Sequence, residues 1–308
     1  MNNSQYTSET RPHGRAVHVH EPRRLRRLNW WVVLLFAALT PVFLCGSGLL
    51  LYLIFPPAHT DILILGVDSR EGEGWYTRAD SIMLVGINPA HLRVSMLSIP
   101  RDLFIEVPGY GLQRINTVNV LGESEGEGGG PILTARSIEQ SFGVRPERYI
   151  RLDFNGFVDL IDAVGGVTID VERGIVDDFY PTADGGTTTV RFDPGTQHMD
   201  GQRALIYART RHADDDYFRA GRQQQVVSAV LARLINPAYW PAATSALNRN
   251  IDTDLSLWDM LALAPPVLAN RGRFEQLVID REYITGTGNG LAVPDYAKLA
   301  PWIAERFR

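Results

Sequence analysis

Two stretches of this 308-residue chain gather side chains that can grip and activate phosphate. The first holds Asp68, Arg70, Arg78, Asp80, Arg101 and Asp102, spread along the sequence. The second, YARTRHADDDYFRAGRQQQ, holds Arg209, Arg211, Arg219, Arg222 and Gln223. Carboxylates hold hard cations, and guanidiniums fork onto phosphate oxygens. Acids alone would repel a pyrophosphate, and arginines alone would lack a Lewis acid; the mixture is what a metal–pyrophosphate site requires. The bland reading of any one such pair is a surface salt bridge worth little. Other catalytic signatures are missing: the chain has neither the phosphate loop GxxxxGK[ST] nor HExxH.

These residues act together only if the fold assembles them. Residues 81–88 and 92–99 are apolar runs separated at Pro89 and Ala90, which reads as an antiparallel hairpin. In such a ladder, residues near 80 face residues near 100, bringing Arg78 and Asp80 close to Arg101 and Asp102. Pro100 has no N–H to donate and ends its strand. Residues 61–67 (DILILGV) read as a buried strand, with Asp68 and Arg70 at the end where α/β sheets bind ligands. Should that end adjoin the open end of the hairpin, three acids and three arginines share one crevice; strand order is not readable here.

In the second stretch, residues 202–207 look helical, and an extended segment after them would project Arg209 and Arg211 to one side. Arg219, Arg222 and Gln223 share a face at the start of a helix over 220–235, whose N-terminus adds partial positive charge. Asp214, Asp215 and Asp216 read as counter-charges and a cap. His212 reads as an exposed, hydrogen-bonded histidine ahead of a general base.

The glycine-rich run 122–130 reads as a mobile loop, after which Pro131 opens a helix through Phe142 with Gly143 past its end. Strands are expected at 149–152, 167–171, 187–192 and near 274–279. Helices are expected at 154–164 (ended by Gly165-Gly166), at 256–268 and after Pro294. Strands interleaved with helices imply an α/β domain, a mixed central sheet flanked by helices in three αβα layers.

Residues 30–55 carry no charge, and 26 helical residues at about 1.5 Å each exceed a hydrocarbon core of about 30 Å. The run has no small-x-small site after it, so it reads as an uncleaved signal-anchor. Six arginines precede it against Glu9 and Glu21, which puts the N-terminus in the cytoplasm and the domain after it outside. The expected organisation is a basic tail (1–29), one transmembrane helix (30–55) and an extracytoplasmic domain (56–308). Beyond the tail stand 24 basic and 33 acidic side chains, which argues against nucleic acid as a partner. The one cysteine, Cys45, excludes an intramolecular disulfide and a Cys-rich metal site.

Seven motifs run in order over roughly residues 61–236. They are LILGVDSR (63–70), TRADSIML (77–84), SMLSIPRDLFIEVPGYG (95–111), RIN (114–116), YIRLDFNGFVDLIDAVGGVTIDV (149–171), GTQHMDGQRALIYARTRH (195–212) and DYFRAGRQQQVV (216–227). Together they resemble the LytR–CpsA–Psr family of bacterial cell-envelope glycopolymer phosphotransferases. The resemblance implies an α/β fold with a lipid pocket that transfers a glycopolymer phosphate from a polyprenyl-pyrophosphate-linked donor to peptidoglycan, forming a phosphodiester. It implies that Asp68 and Asp80 bind Mg2+ (or Mn2+), and that Arg78, Arg101, Arg209, Arg211 and Arg219 contact the pyrophosphate beside Gln223. Arg222 joins them at a position less fixed in the family pattern, and Asp102 completes IPRD and orients Arg101. Asp68, Asp80, Arg101 and Asp102 form the expected catalytic set. Phe154, Phe157, Val158 and Ile161 are candidate walls for the isoprenoid tail, though their helical spacing equally suits ordinary core. The chain departs from the pattern at Val118-Asn119, where an aromatic residue is expected, and in the Glu- and Gly-enriched run after it. Two other readings stand beside transfer: hydrolysis of the lipid pyrophosphate, and a non-catalytic envelope sensor or transcriptional attenuator.

Overall fold

The computed structural model describes residues 29–69, 74–182, 185–211, 216–286 and 290–307. The basic tail up to Leu28, Arg70, His212, Asp214 and Asp215 lie outside them. The chain divides into two compact units, residues 1–51 and 52–308. The helix α1 (Trp30–Ile54), whose residues up to Leu51 belong to the first unit and whose last three belong to the second, is uncharged over 25 residues and is long and apolar enough to cross a membrane.

The second unit is built on β1 (Thr60–Val67), β2 (Ala79–Asn88) and β3 (Arg93–Ile99), followed by the hairpin β4 (Phe104–Val107) and β5 (Gly111–Arg114). Helices α2 (Val118–Glu125) and α3 (Gly129–Phe142) lead to β6 (Arg148–Leu152) and α4 (Phe154–Ala163). Then come β7 (Val167–Val171), the hairpin β8 (Ile175–Pro181) and β9 (Thr187–Phe192), β10 (Gly195–Met199), α5 (Gly201–Arg209) and α6 (Asp216–Arg233). The chain finishes with α7 (Trp240–Asn250), β11 (Ile251–Thr253), α8 (Leu257–Asn270), β12 (Glu275–Val278), β13 (Ile284–Gly286), β14 (Ala292–Pro294) and α9 (Tyr296–Arg306).

The main sheet is six-stranded in the order β11-β6-β1-β2-β3-β12. It is mixed: β1 runs antiparallel to β2 and parallel to β6, and β12 runs parallel to β3. The alternation of side chains along a strand gives each face its own core. Leu63, Leu65, Leu84 and Leu97 face α3 and α9 through Leu133, Ile138, Leu299 and Ile303. Ile62, Met83, Val85 and Met96 face α8 and α6 through Leu263, Val267 and Val227. Burial on both faces explains why these strands read as unbroken apolar runs. A third cluster, with Ile161, Ile169, Tyr207 and Val226, joins α4, α5 and α6 to the β7–β10 pair.

Local signals set the helix ends. Asp153 caps α4 by accepting from Gly156 N at 2.7 Å, and Asp200 caps α5 by accepting from Arg203 N at 2.8 Å. Past α4, Gly165 and Gly166 turn the chain with φ of 74° and 76°.

The run 122–130 departs from its expectation as a loop, since α2 continues to Glu125 and α3 begins at Gly129. Gly122, Gly129 and Gly130 serve close packing, whereas Gly126 and Gly128 stay in the turn between the helices: a Cβ on Gly122 would lie 2.3 Å from the Gly129 carbonyl oxygen. Substitution Gly122→Ala should therefore wedge α2 from α3 and cost about 1–3 kcal/mol. A melting temperature in detergent equal to that of the parent would show that the two helices do not need this approach.

Candidate functional site

Strand register brings the first group of residues together. Val67 pairs with Ala79 across β1 and β2, so Asp68 leaves the sheet beside Arg78 and Asp80. Ile82 pairs with Ile99 across β2 and β3, and continuing that register sets Asp80 opposite Arg101. The Arg101 guanidinium donates to Asp80 Oδ1 at 3.0 Å and lies 3.5 Å from Asp102. Arg114 reaches Asp102 from the other side at 3.9 Å. The strand order settles what the sequence left open, because the C-terminal end of β1 adjoins the open end of the β2–β3 hairpin.

The second group closes over the first. Arg209 is the last residue of α5, and the chain turns away at Thr210; the extended reading of this segment is corrected, since helix runs to Arg209. Arg209 lies 3.9 Å over the Phe154 ring and donates to the Tyr180 hydroxyl at 3.5 Å. Burial pushes the Tyr180 phenol up, against the pull of Arg209, so it stays protonated. The Arg211 guanidinium stands 3.8 Å from Asp80, and its backbone N–H donates to Asp177 on β8. On α6, which starts four residues before its expected position, Gln223 accepts from Ser81 Oγ at 2.9 Å and so ties the helix to β2.

Arg222 is the exception. Its guanidinium is buried and donates to the carbonyls of Tyr207 at 3.0 Å and Thr210 at 2.6 Å. It pins the end of α5 to α6 and lines none of the spaces described next. The shared helical face read from spacing was too broad. Arg219 and Gln223 point to the cleft, while Arg222 points along the helix flank at the two orphan carbonyls.

Three adjoining spaces meet at Asp80. A polar one of about 650 Å³ is lined by Asp68, Arg78, Asp80, Arg101, Asp102, Arg114 and Asn116. A second, of about 360 Å³, has Asp68, Arg209, Arg211, Arg219 and Gln223 at its polar end. Ile64, Met83, Phe154, Phe157, Leu205 and Val227 form its apolar walls. A third, of about 200 Å³, runs between Arg101, Arg219, Tyr217 and Arg281. Of the four candidate tail-contacting residues, Phe154 and Phe157 line the apolar cavity; Ile161 is core.

No group of three or more His, Cys, Asp or Glu that could hold a metal ion occurs among the described residues. Asp68 and Asp80 alone share the two larger spaces. Two carboxylates suit a magnesium-type ion that is completed by substrate phosphate and water, and do not suit an all-protein cage.

Several contributors escaped the sequence reading. Arg114 and Asn116 stood in a quoted motif without a role. Asp177 and Tyr180 lie on β8, in a span that carries no catalytic motif. A buried hub around Arg151, 1% exposed, carried no signal beyond one arginine in a strand. Arg151 donates to Glu123 (2.5 Å), Asp252 (2.6 Å) and Asn119 Oδ1 (3.1 Å), and lies 4.7 Å over the Trp75 ring. With Oδ1 taken, the Asn119 amide must donate outward, and it does, to the carbonyls of Trp75 (2.9 Å) and Thr77 (2.7 Å). The hub thus fixes the segment that delivers Arg78. Asn119 belongs to the Val118-Asn119 stretch where an aromatic residue is expected, and in this chain it has a structural use. Contrary to the expectation that other catalytic signatures are missing, the chain carries one match to G-x-S-x-G, at Gly122–Gly126. Ser124 there donates to its own helix at Leu121, away from any strand-to-helix elbow.

Comparison with known proteins gives matches over most of the chain. The LytR_cpsA_psr family model matches residues 57–299. The polyisoprenyl-teichoic acid–peptidoglycan teichoic acid transferase TagU of Oceanobacillus iheyensis is 36% identical over 205 residues, 64% of this chain and 59% of that protein. The similarly named TagT of Bacillus subtilis is 30% identical over 210 residues, 66% of this chain and 62% of that protein. The chain thus spans about 60% of the length of these curated relatives. The crystal structure of B. subtilis TagV superposes with a TM-score of 0.65 at 25% identity, covering 81% of this chain and 97% of that one.

Arg151→Met should leave the buried Glu123 and the half-buried Asp252 without their cation and cost about 3–5 kcal/mol. The melting temperature should then fall by about 6–20 °C. A fall under 2 °C would mean that the hub does not hold the Trp75–Thr77 segment.

Proposed function

The chain belongs to the LytR–CpsA–Psr family, and on that premise we propose that it transfers a glycopolymer phosphate from a polyprenyl-pyrophosphate-linked donor to a peptidoglycan hydroxyl in cell-wall assembly. The observation that carries this reading is the position of Asp80 where the arginine-rich polar space and the apolar cavity join. A substrate that is diphosphate at one end and hydrocarbon at the other needs that junction. The relatives named as polyisoprenyl-teichoic acid–peptidoglycan teichoic acid transferases support the same class of donor and acceptor.

The acceptor hydroxyl attacks the phosphorus that carries the polymer, the P–O–P bond to the second phosphate breaks, and polyprenyl phosphate departs. Negative charge grows on the departing phosphate. Arg209, Arg211 and Arg219, at the mouth of the apolar cavity, are placed to stabilise it. Arg78 and Arg101 hold the polymer-bearing phosphate from the open polar side. Phe154 and Tyr180 keep the Arg209 guanidinium in place before substrate arrives, and Asp80 does the same for Arg101 and Arg211. Asp68 and Asp80 would hold Mg2+ or Mn2+, which supplies Lewis-acid neutralisation of the diphosphate when bound. The apolar walls take the first part of the tail and exclude water from its phosphate end. The arginine-rich tail before α1 supports an orientation with the catalytic domain outside the cytoplasm, where lipid-linked donors and peptidoglycan meet.

Asp80→Asn should lower turnover about 10²- to 10³-fold, the usual loss on removing one preorganised electrostatic group. Its melting temperature should stay within a few degrees of the parent. Mass spectrometry should find polymer joined to peptidoglycan through a phosphodiester with the parent chain. Free polymer phosphate as the sole product would make the protein a hydrolase, and full activity in the variant would remove Asp80 from the chemistry.

A further inference from the structure

Helix α8 shows its apolar residues on two sides. Leu263 and Val267 pack on the sheet, whereas Leu257, Trp258, Leu261 and Leu268 are 37–80% exposed, with Trp258 the most exposed at 80%. At 3.6 residues per turn these four fall within an arc of about 100° opposite the packed pair. An exposed tryptophan set in a leucine stripe is costly in water and is the composition of an interfacial helix.

The occupant of this face follows from chain length and one hydrogen bond. Residues 55–59 alone separate α1 from β1, and five residues reach at most about 18 Å. A domain joined so closely to a membrane-crossing helix must keep some face at the bilayer. Tyr52, in the last turn of that helix, donates its hydroxyl to the Ala262 carbonyl of α8 at 3.0 Å. The face beside that bond is the leucine–tryptophan stripe. Asp259, the one acid within α8, is paired with Arg148 at 3.3 Å. Arg271 and Arg273 stand exposed just past its end, which suits anionic headgroups.

We propose that α8 is a second membrane contact, lying in the bilayer interface on Leu257, Trp258, Leu261 and Leu268. Its inner side shares one core cluster with Val227 and Ile64, which also wall the apolar cavity. A contact there holds the cavity against the lipid phase. A cavity of about 360 Å³ is at the small end of ligand pockets, so a long tail must leave it, and this face lets the tail pass into hydrocarbon. That last step rests on the transferase reading; the docking itself does not.

The full-length chain carrying Cys45→Ser, in nanodiscs containing phosphatidylglycerol, is spin-labelled at Trp258→Cys, Leu261→Cys or Leu268→Cys. A label at Ile132→Cys on α3, where the native residue is 52% exposed, reports bulk water. The oxygen-to-nickel accessibility ratio at the α8 labels should exceed that at residue 132 by about fivefold. Equal ratios overturn the docking. The variant L257S/W258S/L261S should raise KM for a long-chain polyprenyl donor about tenfold at unchanged kcat and leave a short-chain donor unaffected. Equal losses on both donors overturn the tail-passage role. Membrane-immersed labels on a chain without transferase activity would leave the docking standing and refute the proposed reaction alone, so the two failures are distinguishable.

Discussion

Everything in the cleft depends on the antiparallel register of β1, β2 and β3. Two pairings, Val67 with Ala79 and Ile82 with Ile99, set Asp68, Asp80 and Arg101 at the same edge of the sheet. A slip of one residue would turn Asp80 to the opposite face and send Ile82 and Leu84 into the core shaped for Met83 and Val85. Register is held by burial on both faces, where Leu63 and Leu84 point one way and Ile62 and Met83 the other. The chemistry therefore rests on the hydrophobic core, and the core leaves it no freedom to drift.

A cleft bearing this many like charges must also be held shut against its own repulsion. Three of the guanidiniums have a fixed partner or support: Arg101 and Arg211 on Asp80, Arg209 between Phe154 and Tyr180. Arg222 and Arg151 work from behind, the first bonding the end of α5 to α6, the second fixing the segment before Arg78 through Asn119. A diphosphate entering such a site displaces little structure, because the cations are ordered before it arrives. Conformational freedom that would otherwise be lost on binding has been lost on folding.

Much of this was legible in the residues. The hairpin around Pro89 and Ala90 could be registered by counting, and counting from it put Asp80 against Arg101, as the structure does. The three-layer α/β architecture followed from apolar runs alternating with helical spacing. What could not be read depends on long-range contact. Arg222 shares a helical face with Arg219 and Gln223, and only the position of the α5 carbonyls decides that it turns away. The run 122–130 has loop composition, yet Gly122, Gly129 and Gly130 are close-packing residues between two helices. Asn119 and Glu123 come from α2, Arg151 from β6 and Asp252 from β11, so no local pattern announces their cluster.

The central claim is that one pocket at the β1–β2–β3 edge receives two linked phosphates with the tail in the adjoining apolar cavity. A crystal structure of the chain with a bound polyprenyl pyrophosphate tests it most directly. The account predicts diphosphate oxygens within hydrogen-bonding reach of Arg101, Arg209 and Arg219, and the first isoprene units against Phe154, Phe157 and Val227. Diphosphate bound elsewhere, with those arginines still engaged only with Asp80, Tyr180 and their own neighbours, would contradict it.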